Sequence, residues 1–459
     1  MLLLYSLCTR VLAPFVLLLI GGSHLFAQTS VIDPSLKYYD KTYSDNIQAV
    51  RLHVNGFPQS HPLLTLGGSA RLLLSFDDLS DEVRRYSYKF IHCDQDWQPS
   101  NLSELEYNSG FSVDYIDDYD FSLRTLKDFV HYDLVFPNQN MKLERSGNYL
   151  LVVYDDEDDR FPVITRRFMV QENLAGVSGR VQRAAAVDKI HTHQEVDLTV
   201  NTKQMDLRAP LQELRATVIQ NYRWDNAVTN IEPNFLGRES VRFDYQGKVL
   251  FEGTNEYRNL DVRSIRAPRT EMANISNEGD RYGMMMLADP LRADLPYSNY
   301  FDFNGDFLNM RFDPAVINLA DEQLQASFTR LNAAFNGEYI EITWVLNTGT
   351  KLEEEVYIFG GLTEYLLKEK FRMVWNPATS MYVGRALVKQ GFYNYHYVTV
   401  PKGRVNQVIA PLDTPKDYTI TEGNYDDTEN DYLALIYWRP LGGRYDRLVG
   451  SILLNSNGN

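Results

Sequence analysis

The residues of this chain that could do chemistry crowd into one stretch, Phe90-Ile91-His92-Cys93-Asp94-Gln95-Asp96-Trp97-Gln98-Pro99-Ser100-Asn101-Leu102, which runs on to Tyr107 and Gly110-Phe111. A histidine, a cysteine, two aspartates and a tryptophan fall within six residues, the composition of a metal or nucleophile site. The elements that must position them argue otherwise. Tyr86, Tyr88 and Phe90 alternate with Ser87 and Lys89, so a strand leads into the stretch. Neighbours on a strand point to opposite faces, and His92 and Cys93 then cannot share a ligand. A calcium loop counted from Asp94 fails at Pro99, where glycine is required, and at Leu105, where a glutamate is required. No local signature of a thiol nucleophile surrounds Cys93. The expectation is a strand end with a buried thiol and a loop clamped by Trp97, or a loop that offers its aromatic residues to a partner.

Other candidate chemistry is sparser. Asp155-Asp156-Glu157-Asp158-Asp159 clusters oxygen ligands and could hold calcium, but between two strands it reads first as a solvated hairpin tip. His191-Thr192-His193 puts two imidazoles on one strand face without a third ligand nearby. The nucleophile elbow, the zinc-protease helix, the phosphate loop and the dinucleotide fingerprint are missing from the sequence. No catalytic residue, metal or cofactor is therefore assigned.

The first 27 residues read as a signal peptide: Arg10 precedes the apolar run 11–20, and Ala27-Gln28 is a plausible cleavage point. That run is too short to span a bilayer. Loss of the leader removes one arginine and no acid, so the mature chain is one charge more negative than the full-length value of −16. This balance is poorly suited to nucleic acid or anionic lipid, both of which are bound through Lys and Arg. Cys8 leaves with the leader, and Cys93 alone cannot form an internal disulfide.

The tyrosine-rich, Gly/Pro/Asn-punctuated remainder favours strands. Residues 28–45 read as an extended arm. Short alternating runs then recur: Val50, Leu52 and Val54; Leu72, Leu74 and Phe76; Tyr119, Phe121 and Leu123; Tyr132, Leu134 and Phe136; and a denser apolar strand at 148–154. The expected architecture is all-β, about three immunoglobulin-like sandwiches in tandem with long loops, over 46–172, 173–320 and 321–459. Only 320–335 and 362–370 read as helical. Trp375 and Gln390-Gly391-Phe392-Tyr393-Asn394-Tyr395 loosely resemble the immunoglobulin-like modules of glycogen- and starch-binding proteins, so a carbohydrate-binding module is the alternative reading.

A more specific resemblance rests on longer motifs: Leu72-Leu73-Leu74-Ser75-Phe76-Asp77-Asp78-Leu79, the stretch from Tyr88 to Gly110, His131-Tyr132-Asp133-Leu134-Val135-Phe136-Pro137-Asn138, and Ser146-Gly147-Asn148-Tyr149-Leu150-Leu151. Near the C-terminus Glu422-Gly423-Asn424-Tyr425, Thr428-Glu429-Asn430-Asp431-Tyr432 and Arg439-Pro440-Leu441-Gly442-Gly443-Arg444-Tyr445-Asp446-Arg447 add to them. The chain resembles the plug protein family of the type IX secretion system, most strongly over 45–172 and the last 40 residues. The resemblance implies a non-enzymatic periplasmic protein at the outer membrane. It would close the periplasmic mouth of the large translocon β-barrel (SprA or Sov), while a separate shuttle protein closes the lateral opening in the alternative state. Two surfaces are expected to meet that partner: the loop with Trp97, Pro99, Asn101 and Tyr107, and the turn with Arg439, Pro440, Arg444 and Tyr445.

Overall fold

The alternation at Leu72, Leu74 and Phe76 places three fully buried side chains on one face of the strand Leu72–Asp78. That strand sits in a four-stranded antiparallel sheet, ordered Ile47–Val54, Leu72–Asp78, Val130–Phe136 and Asp118–Phe121. A second sheet packs against it, ordered Lys41–Thr42, Asp158–Gln171, Gly147–Asp155, Tyr86–Cys93 and Asp114–Ile116, with Leu63–Thr65 paired to Asp158–Gln171. Phe76, Tyr132 and Phe136 from one sheet and Tyr88, Phe90, Tyr149 and Phe168 from the other share a single core. The structure is a computed structural model describing residues 36–80, 82–156, 158–265, 271–311, 334–403 and 414–458, apart from the side chains of 158–160. The leader and most of the helix expected over 320–335 lie outside the described residues.

The molecule is all-β. Every residue of Gly147–Asp155 is buried, which is why its sequence is nearly continuous in apolar residues instead of alternating. The C-terminal strands cover its outer face, where the Tyr437 hydroxyl donates to Asn148 Oδ1 at 2.8 Å. The described part of the N-terminal arm is not free, since Lys41–Thr42 pairs with Ile164 and Thr165 at the edge of the second sheet.

Strand pairing does not follow the chain in three consecutive blocks. The middle sandwich joins a sheet of Gly176–Arg183, His193–Asn201, Ser240–Phe243 and Phe235–Leu236 to a sheet ordered Arg223–Ile231, Leu214–Gln220, Asp431–Trp438 and Arg447–Asn455. Leu198 and Phe243 from the first of these sheets and Val218, Tyr432 and Ile436 from the second share one core. The last two strands therefore complete the middle sandwich and do not close the third. In return Arg258–Asp261 and Phe307–Asn309 pair with Gly391–Val400 in a ten-stranded sheet. That sheet folds over its own core: Tyr339–Asn347 and Gly391–Val400 are separated by three strands in sheet order, yet the rings of Trp344 and Tyr395 meet edge-on at 6.3 Å.

The helix expected over 362–370 is instead two 3-10 turns, Gly361–Thr363 and Glu369–Phe371. Glu364 and Tyr365 lie in the left-handed region, with φ of 59° and 53°, and this interrupts the helical path.

Candidate functional site

The strand Tyr86–Cys93 positions the reactive-looking cluster, and its pleat separates the members. His92 is almost fully buried on one face. Its Nδ1 lies 2.8 Å from Ser100 Oγ and its Nε2 3.0 Å from the Ser146 carbonyl, so both ring nitrogens are engaged. Burial pushes the imidazole down to about 4, keeping it neutral. Gly147 sits against this ring at φ +133°, and a Cβ there would lie 2.7 Å from His92 Nε2. Cys93 is fully buried on the opposite face, and burial pushes its thiol well up. A neutral, satisfied histidine and a protonated, inaccessible thiol that face apart cannot form a nucleophile pair or a metal site.

The loop beyond the strand is clamped from within. Trp97 adopts φ of 63° and is 4% exposed. Its ring meets Trp224 edge-on at 4.9 Å, and the Arg167 guanidinium lies 4.3 Å from the Trp97 ring centre and 5.0 Å from that of Trp224. Arg167 is held in turn by its Nε, which donates to the Tyr38 carbonyl at 2.8 Å. Tyr107, at the end of the short helix Glu104–Tyr107, is also buried, with its hydroxyl donating to the Phe90 carbonyl at 3.3 Å.

The two stretches expected to meet a partner meet each other. Asp94 pairs with Arg439 at 2.8 Å, and Arg439 pairs with Asp446 at 2.8 Å. The Gln95 backbone N–H donates to Asp446 Oδ2 at 2.9 Å. Arg444 pairs with Glu106, and the Tyr445 ring stands edge-on to His92 at 5.4 Å. Pro99 and Pro440 are half-buried, and Pro99 bridges to Cys93. This is an intramolecular joint between the first sandwich and the turn after Asp431–Trp438. Trp97 and Tyr107 present no ring to solvent. The exposed members are Asn101, Arg439 and Arg444.

A different surface carries the exposed aromatic residues. Asp114–Ile116 and Asp118–Phe121 are edge strands of the two sheets of the first sandwich, joined only by Asp117. Along and beside them Phe111, Tyr115, Tyr119, Phe121 and Leu123 stand exposed, Phe121 at 62%. Strand edges can template pairing with another chain, and exposed apolar patches often mark interaction sites. The sequence shows the alternation at Tyr119, Phe121 and Leu123, but periodicity does not say which face meets the core.

The remaining candidates resolve simply. Asp155 and Asp156 pair with Arg84 and Arg85, while Glu157 and the side chains of Asp158 and Asp159 lie outside what the structure describes. His193 Nδ1 lies 2.8 Å from Thr192 Oγ1, and His191 is exposed. Tyr393 and Tyr395 are buried in the core, and Trp375 packs edge-on against Tyr382, so these aromatic residues build no open sugar platform.

The molecule is an all-β body with a clamped N-terminal sandwich and an exposed aromatic edge. Residues 47–172 match the family model of the type 9 secretion system plug protein 1st domain. A crystal structure of a hypothetical protein from Parabacteroides merdae ATCC 43184 superposes with a TM-score of 0.81 at 30% identity, over 92% of this chain and 100% of that one. No curated protein matches. The chain belongs to the type IX secretion system plug protein family, which is not a known enzyme family. Among the described residues no helix is long and apolar enough to cross a membrane.

Proposed function

We propose that the protein is a periplasmic stopper that closes the periplasmic mouth of the type IX translocon barrel. The observation that carries this reading is the plug-domain match over 47–172. The physics is compatible with it. Occlusion of a wide pore calls for a stiff body and a complementary surface, and an interface of about 1,000 Å² with a few aromatic anchors suffices. The contact we assign is the aromatic edge from Phe111 to Leu123, in the same matched domain. The rim of a β-barrel offers strand ends and turns that an edge strand can pair with. Asp114, Asp117, Asp118 and Asp120 flank these rings, so the facing rim would be neutral or basic.

Capture from outer-membrane extracts with the translocon barrel as bait tests the reading. The protein should be recovered with the barrel, and more of it when the shuttle protein is absent. Its absence from barrel complexes both with and without the shuttle would overturn the proposal.

A further inference from the structure

A cleft of about 410 Å³ lies between the first sandwich and the ten-stranded sheet. Ile47 and Val50 line it from the edge strand Ile47–Val54, and Leu387, Val388 and Tyr393 line it from Met381–Lys389 and Gly391–Val400, with Phe371 beside them. The strand Ile47–Val54 bulges here. Its register to Leu72–Asp78 shifts between Gln48 and Arg51, and Ala49 sits at φ 53°. Bulges interrupt regular pairing and re-aim side chains beside sites, and here Gln48, Ala49 and Val50 border the cleft in succession. The polar side chains behind the apolar lining are already engaged. The Tyr339 hydroxyl and Lys389 Nζ both donate to Asp77, and the Tyr393 hydroxyl donates to the Lys389 carbonyl.

Three lysines, Lys41, Lys368 and Lys370, border the same cleft. Only Lys368 has a carboxylate partner, Glu364 at 2.6 Å. That carboxylate is also held by Arg166 and by the Thr42 hydroxyl, which donates at 2.5 Å. Among the described residues Lys41 and Lys370 form no ion pair. Lys41 stands over the Tyr43 ring at 4.7 Å, and Lys370 reaches the Gln48 amide oxygen at 3.4 Å. Glu369 is spent on Arg372 at 2.7 Å, and Asp45 attracts Lys370 without pairing with it. Desolvation is the first cause of a lowered pKa at Lys41 and at Lys370, and the ammonium of Lys368 adds to it at both. Acidic side chains outnumber basic ones 61 to 45 in this chain, yet two neighbouring lysines are left without one. Ammonium groups gathered on an apolar cleft favour a ligand that brings both a negative charge and hydrocarbon.

We propose that this cleft binds a single medium-length acyl chain ending in a carboxylate, its head on Lys41 and Lys370 and its tail against Ile47, Phe371 and Leu387. At about 30 Å³ per non-hydrogen atom, the share a water molecule takes in its liquid, 410 Å³ holds about a dozen such atoms, an acid of about ten carbons. A two-chain lipid has too many atoms for it. A peptide would bring amide groups that need partners, and the engaged side chains of the apolar lining supply none; an acyl chain brings no such groups. Lysine offers a mobile point charge, which suits a single carboxylate better than the fixed fork of arginine would need to. Occupancy would tie Lys41–Thr42 and Ile47–Val54 to the 364–371 segment and so stiffen the contact of the matched domain with the ten-stranded sheet.

The test is isothermal titration of decanoate, kept below its micelle concentration, into the delipidated, full mature chain. One decanoate per chain is expected. Lys41→Gln and Lys370→Gln should each weaken binding about threefold, and the double variant at least tenfold. Neither lysine holds an ion pair, so circular dichroism should show the fold unchanged. Decanol, the same chain without the charge, should bind at least tenfold more weakly, and acetate, the charge without the chain, should give no binding heat. Leu387 is half-buried on the cleft wall, so Leu387→Trp should fill the cleft and abolish binding. Absence of decanoate binding in the wild type would overturn the proposal. So would decanol binding as tightly as decanoate, or unchanged decanoate binding in the folded Lys41→Gln/Lys370→Gln or Leu387→Trp protein. The proposal does not rest on the plug reading, and the titration contains no translocon, so failure here leaves that reading untouched.

Discussion

Asp77 and Lys389 meet at 2.6 Å, both side chains buried, across 312 residues of sequence. Asp77 is the penultimate residue of Leu72–Asp78 in the first sandwich, and Lys389 ends Met381–Lys389 in the ten-stranded sheet. Tyr339 donates its hydroxyl to the same Asp77 oxygen at 2.6 Å, and His131 Nδ1 lies 2.6 Å from the other. The attraction of Lys389 and His131 outweighs burial and holds the Asp77 carboxyl below its usual range. This network makes the matched first domain continuous with the body behind it.

Removing one partner of such a pair leaves a buried charge uncompensated. Asp77→Asn is expected to destabilise the protein by about 3 kcal/mol, measured by urea unfolding. The Asp77→Asn/Lys389→Met double variant removes both charges and should recover more than half of that loss. Equal loss in the single and double variants would mean that the pair's charges are not what holds this junction.

The same network sets a pH dependence. Burial alone would lower the His131 pKa, but hydrogen bonds to Asp133 and Asp77 outweigh it and raise it to about 9. Its contribution is present in full below about pH 6.5 and is lost as pH rises from there through about 9. His92 and His396 behave oppositely: burial lowers them to about 4 and about 3. Below about pH 6.5 the unfolded chain takes up protons that these two refuse, so stability falls toward acid as well. The predicted profile has its maximum near pH 6.5. Unfolding free energy across a pH series should show both limbs, and His131→Gln should flatten only the alkaline one.

The loop clamp predicts a local effect. Trp97→Ala removes a buried ring from the Arg167–Trp224 stack and should cost about 3 kcal/mol. It should also open the 94–99 segment to limited proteolysis. Arg167→Lys keeps the charge but loses the flat guanidinium, and should cost less than Trp97→Ala. Cys93, buried beneath this loop, should react with a thiol reagent in the Trp97→Ala protein faster than in the wild type, where labelling awaits denaturant.

That clamp shows where sequence reading succeeds and where it stops. The strand Tyr86–Cys93 and the opposed faces of His92 and Cys93 follow from local alternation, so the separation of these two side chains was legible. The dense apolar run at 148–154 likewise marks a strand, while the burial of both its faces comes from the structure. The partner of the loop was not legible, because the Gln95 contact with Asp446 spans 351 residues and no local pattern encodes it. The same non-locality hid the pairing of Leu214–Gln220 with Asp431–Trp438. Trp97 and Tyr107 read either as packing or as docking aromatics, and local sequence does not choose between them; here both are buried, Trp97 against Trp224 and Arg167. Tyr119 and Phe121 read as one more alternating strand of the sandwich, and alternation does not reveal that they lie on a sheet edge that nothing described covers.

The aromatic edge and the 439–446 turn make opposite predictions for docking. Phe121 is 62% exposed, so Phe121→Asp removes no core contact and should change stability by less than about 0.5 kcal/mol. If this edge seats on the translocon rim, the same change puts a charge into the contact and should reduce capture by the barrel at least tenfold. Phe111→Ser should act in the same direction. Arg444 serves the internal joint through Glu106, so Arg444→Ala should leave capture within about twofold and show up, if at all, as a small loss of stability. Quantitative capture on immobilised barrel complexes, with circular dichroism of each variant as the fold control, separates the two surfaces. Full capture by folded Phe121→Asp together with loss in Arg444→Ala would move the docking surface to the turn.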